Sequence, residues 1–194
     1  MLFYKKEVPK YLTLTMNTLI FLYTISLIYF VLWGEIFQIA PCFSSLLITI
    51  FIKFTTKKFI EVISPILIFS ILIFTLFSSY LGSSFDFYGI VNHYDDIMHF
   101  LSGVLLVLFA YDLFNLLSSN FNTRFNRKLI ILFVFCFSMS ITGLWEIFEF
   151  LMDSFFETNM QVGGLSDTMH DMIDALIASI ITIPIYEIYY KKYK

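Results

Sequence analysis

The chain has 194 residues, of which 59% are hydrophobic, 20% aromatic and 14% charged, against about 25% charged residues in ordinary soluble domains. With a positive mean hydropathy this excludes a soluble globular module, and with a formal net charge of −3 no nucleic-acid partner is expected. The length suits one small domain, and at roughly 20 residues per membrane span the whole of 1–194 is taken up by a single all-α transmembrane bundle.

Lys5, Lys6 and Lys10 precede a first apolar run from Leu12 to Trp33. That run is too long for the core of a signal peptide and no small-residue cleavage site follows it, so it reads as a retained signal anchor. The second span runs from Glu35 to Ile52 with Pro41 in its first turns, and Lys53, Lys57 and Lys58 separate it from the third, Ile60 to Leu81. The fourth runs from Asp95 to Leu117, the fifth from Leu129 to Phe150 and the sixth from Asp167 to Tyr189. These runs are far longer than the ~10-residue alternating strands of a barrel. Helices are therefore expected, because in lipid each backbone polar group must be satisfied within its own segment. Gly163 and Gly164 followed by Ser166 read as a turn and an N-cap opening the last helix. Cys42 and Cys136 lie in or beside apolar runs, where a packing role is expected of a small side chain.

All 12 basic residues fall before the first span, between the second and third, between the fourth and fifth, or after the sixth. Of the 15 acidic residues, all but Glu7, Glu61, Asp112 and Glu187 fall at the other ends of the spans, as do all three histidines. Basic loops stay cytoplasmic, so both termini are expected in the cytoplasm. The acidic ends then face the opposite side of a bacterial plasma membrane. Asp112, Glu61 and Glu187 lie near the basic loops and are expected to form surface pairs.

The chemistry gathers at three helix ends. Asp95 and Asp96 precede His99 by four and three residues, which places a carboxylate and the imidazole on one helix face. Ser138, Thr142, Glu146, Glu149 and Asp153 recur at steps of three and four and form a polar stripe that must face protein. Asp167, Asp171 and Asp174 share a face with His170 at its edge, while Ala175, Ala178 and Ser179 are small enough to let another helix approach closely. At 1.5 Å per residue, Glu146 and Asp174 lie roughly 10 Å below their helix ends.

Several of these residues have simpler explanations one at a time. Asp95, Asp96, Asp167 and Asp171 are expected in first turns, where a carboxylate meets the helix dipole favourably. Asp86, Glu35 and Glu157 are solvated loop charges, and His93 a solvated loop histidine. Trp145 fits a site lining and an interface anchor equally well. Glu146 and Asp174 are deeper, where an Asp near the helix centre costs roughly 2.5–3.5 kcal/mol on insertion. With no Lys or Arg on that side, three compensations are open: carboxylates that share protons, imidazolium from His99 or His170, or a bound cation. A divalent metal answers most of the charge at once. A ligand set drawn from Asp95, Asp96, His99, Glu146, Glu149, Asp153, Asp167, His170, Asp171 and Asp174 is of mixed oxygen and nitrogen type, suited to Zn²⁺, Mn²⁺ or Fe²⁺.

Tyr94-Asp95-Asp96-Ile97-Met98-His99-Phe100 with Gly103, Trp145-Glu146-Ile147-Phe148-Glu149 with Asp153, and Gly164-Leu165-Ser166-Asp167-Thr168 with Asp171 resemble the YjdF-like family of bacterial inner-membrane proteins. More remotely they are similar to VanZ-like membrane proteins. The resemblance covers about the last hundred residues. It implies a multi-spanning inner-membrane protein and no established reaction; the VanZ-like similarity adds an association with glycopeptide-antibiotic tolerance in the cell envelope.

Gly-rich phosphate loops, HExxH pairs and Gly-x-Ser-x-Gly elbows are absent, and phosphate recognition without Lys or Arg would fall to a metal. Two main functions stay open. One is a metal-centred site acting on an envelope or lipid component, with Glu149 or Glu146 as a general base. The other is a carrier or sensor that binds a cation or proton through the same carboxylates. A non-enzymatic membrane partner protein is a third. Below Glu146 and Thr142 the fifth span turns to Cys136, Phe135, Val134 and Phe133, which favours a site open to one side.

Overall fold

A computed structural model of the protein describes residues 7–60, 62–119, 125–162 and 164–192. Lys5, Lys6, Glu61, Arg124, Gly163 and Lys194 lie outside the described residues, as do the side chains of Lys191 and Lys192. Every regular element among the described residues is helical: α1 (Lys10–Trp33), α2 (Ile36–Phe59), α3 (Pro65–Thr75) continuing as a π-helical stretch (Leu76–Ser84), α4 (Phe87–Ile90), α5 (Tyr94–Ser118), α6 (Arg127–Phe156) and α7 (Leu165–Lys192). Among the described residues six helices are long and apolar enough to cross a membrane, as the hydropathy pattern leads one to expect.

The helix limits differ from the apolar limits. α2 runs past Ile52 to Phe59 through Lys53, Lys57 and Lys58, because lysine and threonine end the lipid-compatible stretch without ending backbone hydrogen bonding. Thr55 and Thr56 turn their hydroxyls back onto the carbonyls of Phe51 and Ile52, at 2.8 and 2.6 Å. α3 begins at Pro65 and not at Ile60: proline is pre-organised for the first helical position, and the Ser64 hydroxyl accepts from the Leu67 amide at 3.3 Å. α7 opens at Leu165, so Ser166 lies inside the helix and is not its N-cap. The left-handed turn falls to Gly164, at φ 62°, a conformation glycine adopts without strain.

The chain divides into two compact units, Met1–Tyr94 and Asp95–Lys194. In the first, Leu12, Met16, Leu19, Tyr23 and Phe30 bury one stripe of α1, at steps that return to the same face of a helix. Cys42, Leu72 and Tyr80 join this core. Its polar groups are mostly closed locally. Ser45 donates to the Pro41 carbonyl at 2.8 Å, Thr49 to that of Ser45 at 2.8 Å, and the Tyr80 and Ser26 hydroxyls meet at 2.5 Å.

In the second unit α5 and α7 begin at the end where α6 finishes. The lack of a side chain at Gly103 brings α5 onto α7: a Cβ there would stand 2.8 Å from Ala178 Cβ and 2.9 Å from Ala175 Cα. Small residues therefore do set this approach. Ser138 and Ser179 join α6 to α7 through a buried 2.9 Å hydrogen bond. Past them Val107, Ala110, Tyr111, Val134 and Ile183 form an apolar core flanked by Phe133, Phe135 and Phe137. At the far end Arg127 forms an ion pair with Glu187, and the Tyr111 hydroxyl donates to Glu187 at 2.9 Å, which realises the pairing expected of Glu187. Asp112, expected at the surface, is buried.

Candidate metal centre

The site is assembled at the shared end of α5, α6 and α7. Asp95 and Asp96 occupy the first turn of α5, and one turn further in His99 is buried. On α6, Ser138, Thr142, Glu146 and Glu149 are all buried, since steps of four, four and three keep one face towards the neighbouring helices. On α7 only Asp167 lies in the first turn. Asp171 sits one turn deeper and is 1% exposed, so it is not the helix-end cap its sequence position suggests.

His99 stands at the centre of these groups. Its Nδ1 is 3.6 Å from Glu146 Oε1, and its Nε2 is 3.6 Å from Asp95 Oδ1 and 3.8 Å from Asp171 Oδ2. These separations exceed the reach of a good hydrogen bond. They match two ligands on one ion, which at bond lengths of about 2.0–2.2 Å stand roughly 3–4 Å apart. His99, Glu146, Glu149 and Asp171 each offer one ligand atom, all within 4.8 Å of one another, and all four residues are buried. Asp95, Asp167 and Asp171 form a second such set, and Asp96, Asp171 and Asp174 a third.

The hydrogen-bonding balance is as telling as the distances. Both oxygens of Glu146, both of Asp171 and Oδ2 of Asp167 are buried with no hydrogen-bond partner. Unpaired carboxylates withdrawn from water are costly unless a charge or a proton answers them. α5 contains no Lys or Arg, and those of α6 and α7 stand at the opposite helix ends. The arrangement can therefore hold a metal ion.

Of the residues named from the sequence, Asp95, Asp96, His99, Glu146, Glu149, Asp167, Asp171 and Asp174 belong to the three sets; Asp153 and His170 do not. Asp153 accepts from the Thr158 hydroxyl at 2.6 Å and from the Met160 and Gln161 amides at 2.8 Å each. It does so because α6 ends at Phe156 and the chain reverses at Glu157, at φ 53°. Gln161 Nε2 then donates to Thr168 Oγ1 at 2.7 Å, tying this loop to the start of α7. His170 is exposed. Trp145, left open between lining and anchor, donates its indole N–H to Glu149 Oε1 at 2.7 Å. The four-residue spacing of Trp145 and Glu149 is the signal that could have shown it.

Fold and site together define a multi-pass membrane protein that buries carboxylates and an imidazole at one end of its last three spans. Residues 11–192 match the family described as predicted membrane protein (DUF2238), and the chain belongs to that family. It is the family of the YjdF-like resemblance, and the match reaches beyond the last hundred residues to take in the first three spans. The VanZ-like resemblance gains no support. No curated protein and no solved structure matches the chain.

Proposed function

We propose that His99, Glu146, Glu149 and Asp171 bind a divalent cation, and that this centre acts on an envelope or lipid component at the extracytoplasmic face of a bacterial plasma membrane. The observation that carries the reading is the set of buried, unpartnered carboxylate oxygens on Glu146 and Asp171, close enough to His99 and Glu149 for one ion to meet all four residues. A bound ion would supply the positive charge that this end lacks and polarise a substrate oxygen. Either Glu149, which accepts from the Trp145 indole, or Glu146 would serve as general base through the oxygen it does not give to the ion. The mixed donor set suits Zn²⁺, Mn²⁺ or Fe²⁺.

The apolar core of Val107, Ala110, Val134 and Ile183 beyond the Ser138–Ser179 contact supports a site open to one side over a route through the unit. Its orientation follows from Lys10, Lys53, Lys57, Lys58, Arg127 and Lys128, which on the positive-inside rule put both termini in the cytoplasm. A cysteine introduced by Lys192→Cys should resist an impermeant thiol reagent in intact cells, and labelling there would reverse the orientation. Elemental analysis of detergent-purified protein should find a copurifying divalent metal that Asp171→Asn removes. A metal-free protein whose melting ignores both chelator and added metal would instead support carboxylates that share protons, as in a proton-coupled carrier.

A further inference from the structure

We propose that the centre holds two divalent cations bridged by the carboxylate of Asp171. The inference rests on the metal reading above and adds a second ion, bound by Asp95, Asp167 and Asp171. Asp171 belongs to the buried set with His99, Glu146 and Glu149 and also to the set with Asp95 and Asp167. Neither of its oxygens has a hydrogen-bond partner, and at 1% exposure neither meets bulk solvent. A carboxylate with two free oxygens can give one to each of two ions.

Three further observations converge on the outer position. Asp167 Oδ2 is buried and lacks a hydrogen-bond partner, which gives the outer set an unmet acceptor of its own. The His99 ring can bind the inner ion through Nδ1, 3.6 Å from Glu146, while its other nitrogen, Nε2, faces the outer carboxylates Asp95 at 3.6 Å and Asp171 at 3.8 Å, the kind of partner that usually orients a metal-bound imidazole. The third is charge. One ion of charge +2 among Asp95, Glu146, Glu149, Asp167 and Asp171 leaves a net negative charge in a region whose helices carry their Lys and Arg at the other end. A second ion removes most of it. The outer ligands are all carboxylates, so the second ion is of the hard, oxygen-seeking class, Mn²⁺ or Mg²⁺.

Titration of the purified, metal-stripped full chain with Mn²⁺, counted by equilibrium dialysis and followed by electron paramagnetic resonance, tests the bridge. The wild type should take up two Mn²⁺ per chain and develop the broadened spectrum of exchange-coupled ions. Asp167→Asn and Asp95→Asn, both half-buried, should each reduce uptake to one ion with the six-line spectrum of isolated Mn²⁺. A wild type that saturates at one ion, with both variants unchanged, would overturn the second site and leave the single-metal reading standing. Two ions without spectral coupling would overturn the bridge through Asp171. No bound Mn²⁺ at all would overturn both readings together.

Discussion

In Met1–Tyr94 most buried polar side chains are hydroxyls that close onto nearby carbonyls or onto one another, whereas in Asp95–Lys194 the buried carboxylate oxygens of Glu146 and Asp171 have no hydrogen-bond partner. The exceptions in the first unit, Tyr23 Oη and Ser84 Oγ, are neutral. An unmet hydroxyl costs far less than an unmet carboxylate. Both units are built from long apolar helices with comparably greasy outer faces, as Phe54 at 81% and Phe155 at 75% exposure illustrate. Hydrophobicity therefore does not distinguish them. What distinguishes them is that the first unit satisfies its polar groups largely by itself, while the second keeps buried carboxylate oxygens without a hydrogen-bond partner.

The comparison can be broken most severely at Asp171. With free Mn²⁺ at 100 times its Kd, binding to the native state alone should stabilise the wild type by about 2.7 kcal/mol, a rise of several degrees in melting temperature. Asp171→Asn should lose most of that rise and Glu149→Gln much of it, while Asp86→Asn, outside all three ligand sets, should keep it. An equal rise in the Asp171→Asn protein would remove the distinction between the units.

A smaller effect is expected where α5 meets α7. Gly103→Ala places a methyl group 2.8–2.9 Å from Ala178 and Ala175, and overpacking of this kind costs about 1–3 kcal/mol. Because α5 carries His99 and α7 carries Asp171, the same change should weaken Mn²⁺ binding. Dialysis on the variant checks this, and unaltered affinity would mean that the helix approach does not set the site.

The smallest effect is expected in the first unit. Thr49→Val deletes a buried hydroxyl that donates only to the Ser45 carbonyl, one turn back in the same helix. Its loss should cost about 0.5–1.5 kcal/mol and leave metal-dependent melting unchanged. A larger loss, or a changed response to Mn²⁺, would show that the two units are not independent in this respect.

Much of the molecule can be read from the order of its residues because the bilayer imposes a simple rule: an apolar run of sufficient length must be a helix. The six spans follow from that rule, and so does the gathering of carboxylates at one set of helix ends. Helix limits are less legible, as α2 shows, because Lys53, Lys57 and Lys58 end the apolar stretch while the backbone continues to Phe59. The π-helical stretch Leu76–Ser84 and the short α4 have no counterpart in the hydropathy.

The sequence by itself determined the helical class, the number of spans and the candidate residues, since periodicity and charge are properties of a single helix. It could not separate Glu149 from Asp153, which lie four apart on one stripe. The tertiary structure decided that Glu149 faces His99 and Asp171 while Asp153 spends its oxygens on the Thr158–Gln161 loop. It also decided that Asp171, expected at a helix end, is the residue shared by all three carboxylate sets. The physical reason is that a ligand set is a relation among three helices, and the distance between helices here is fixed by Gly103 against Ala175 and Ala178.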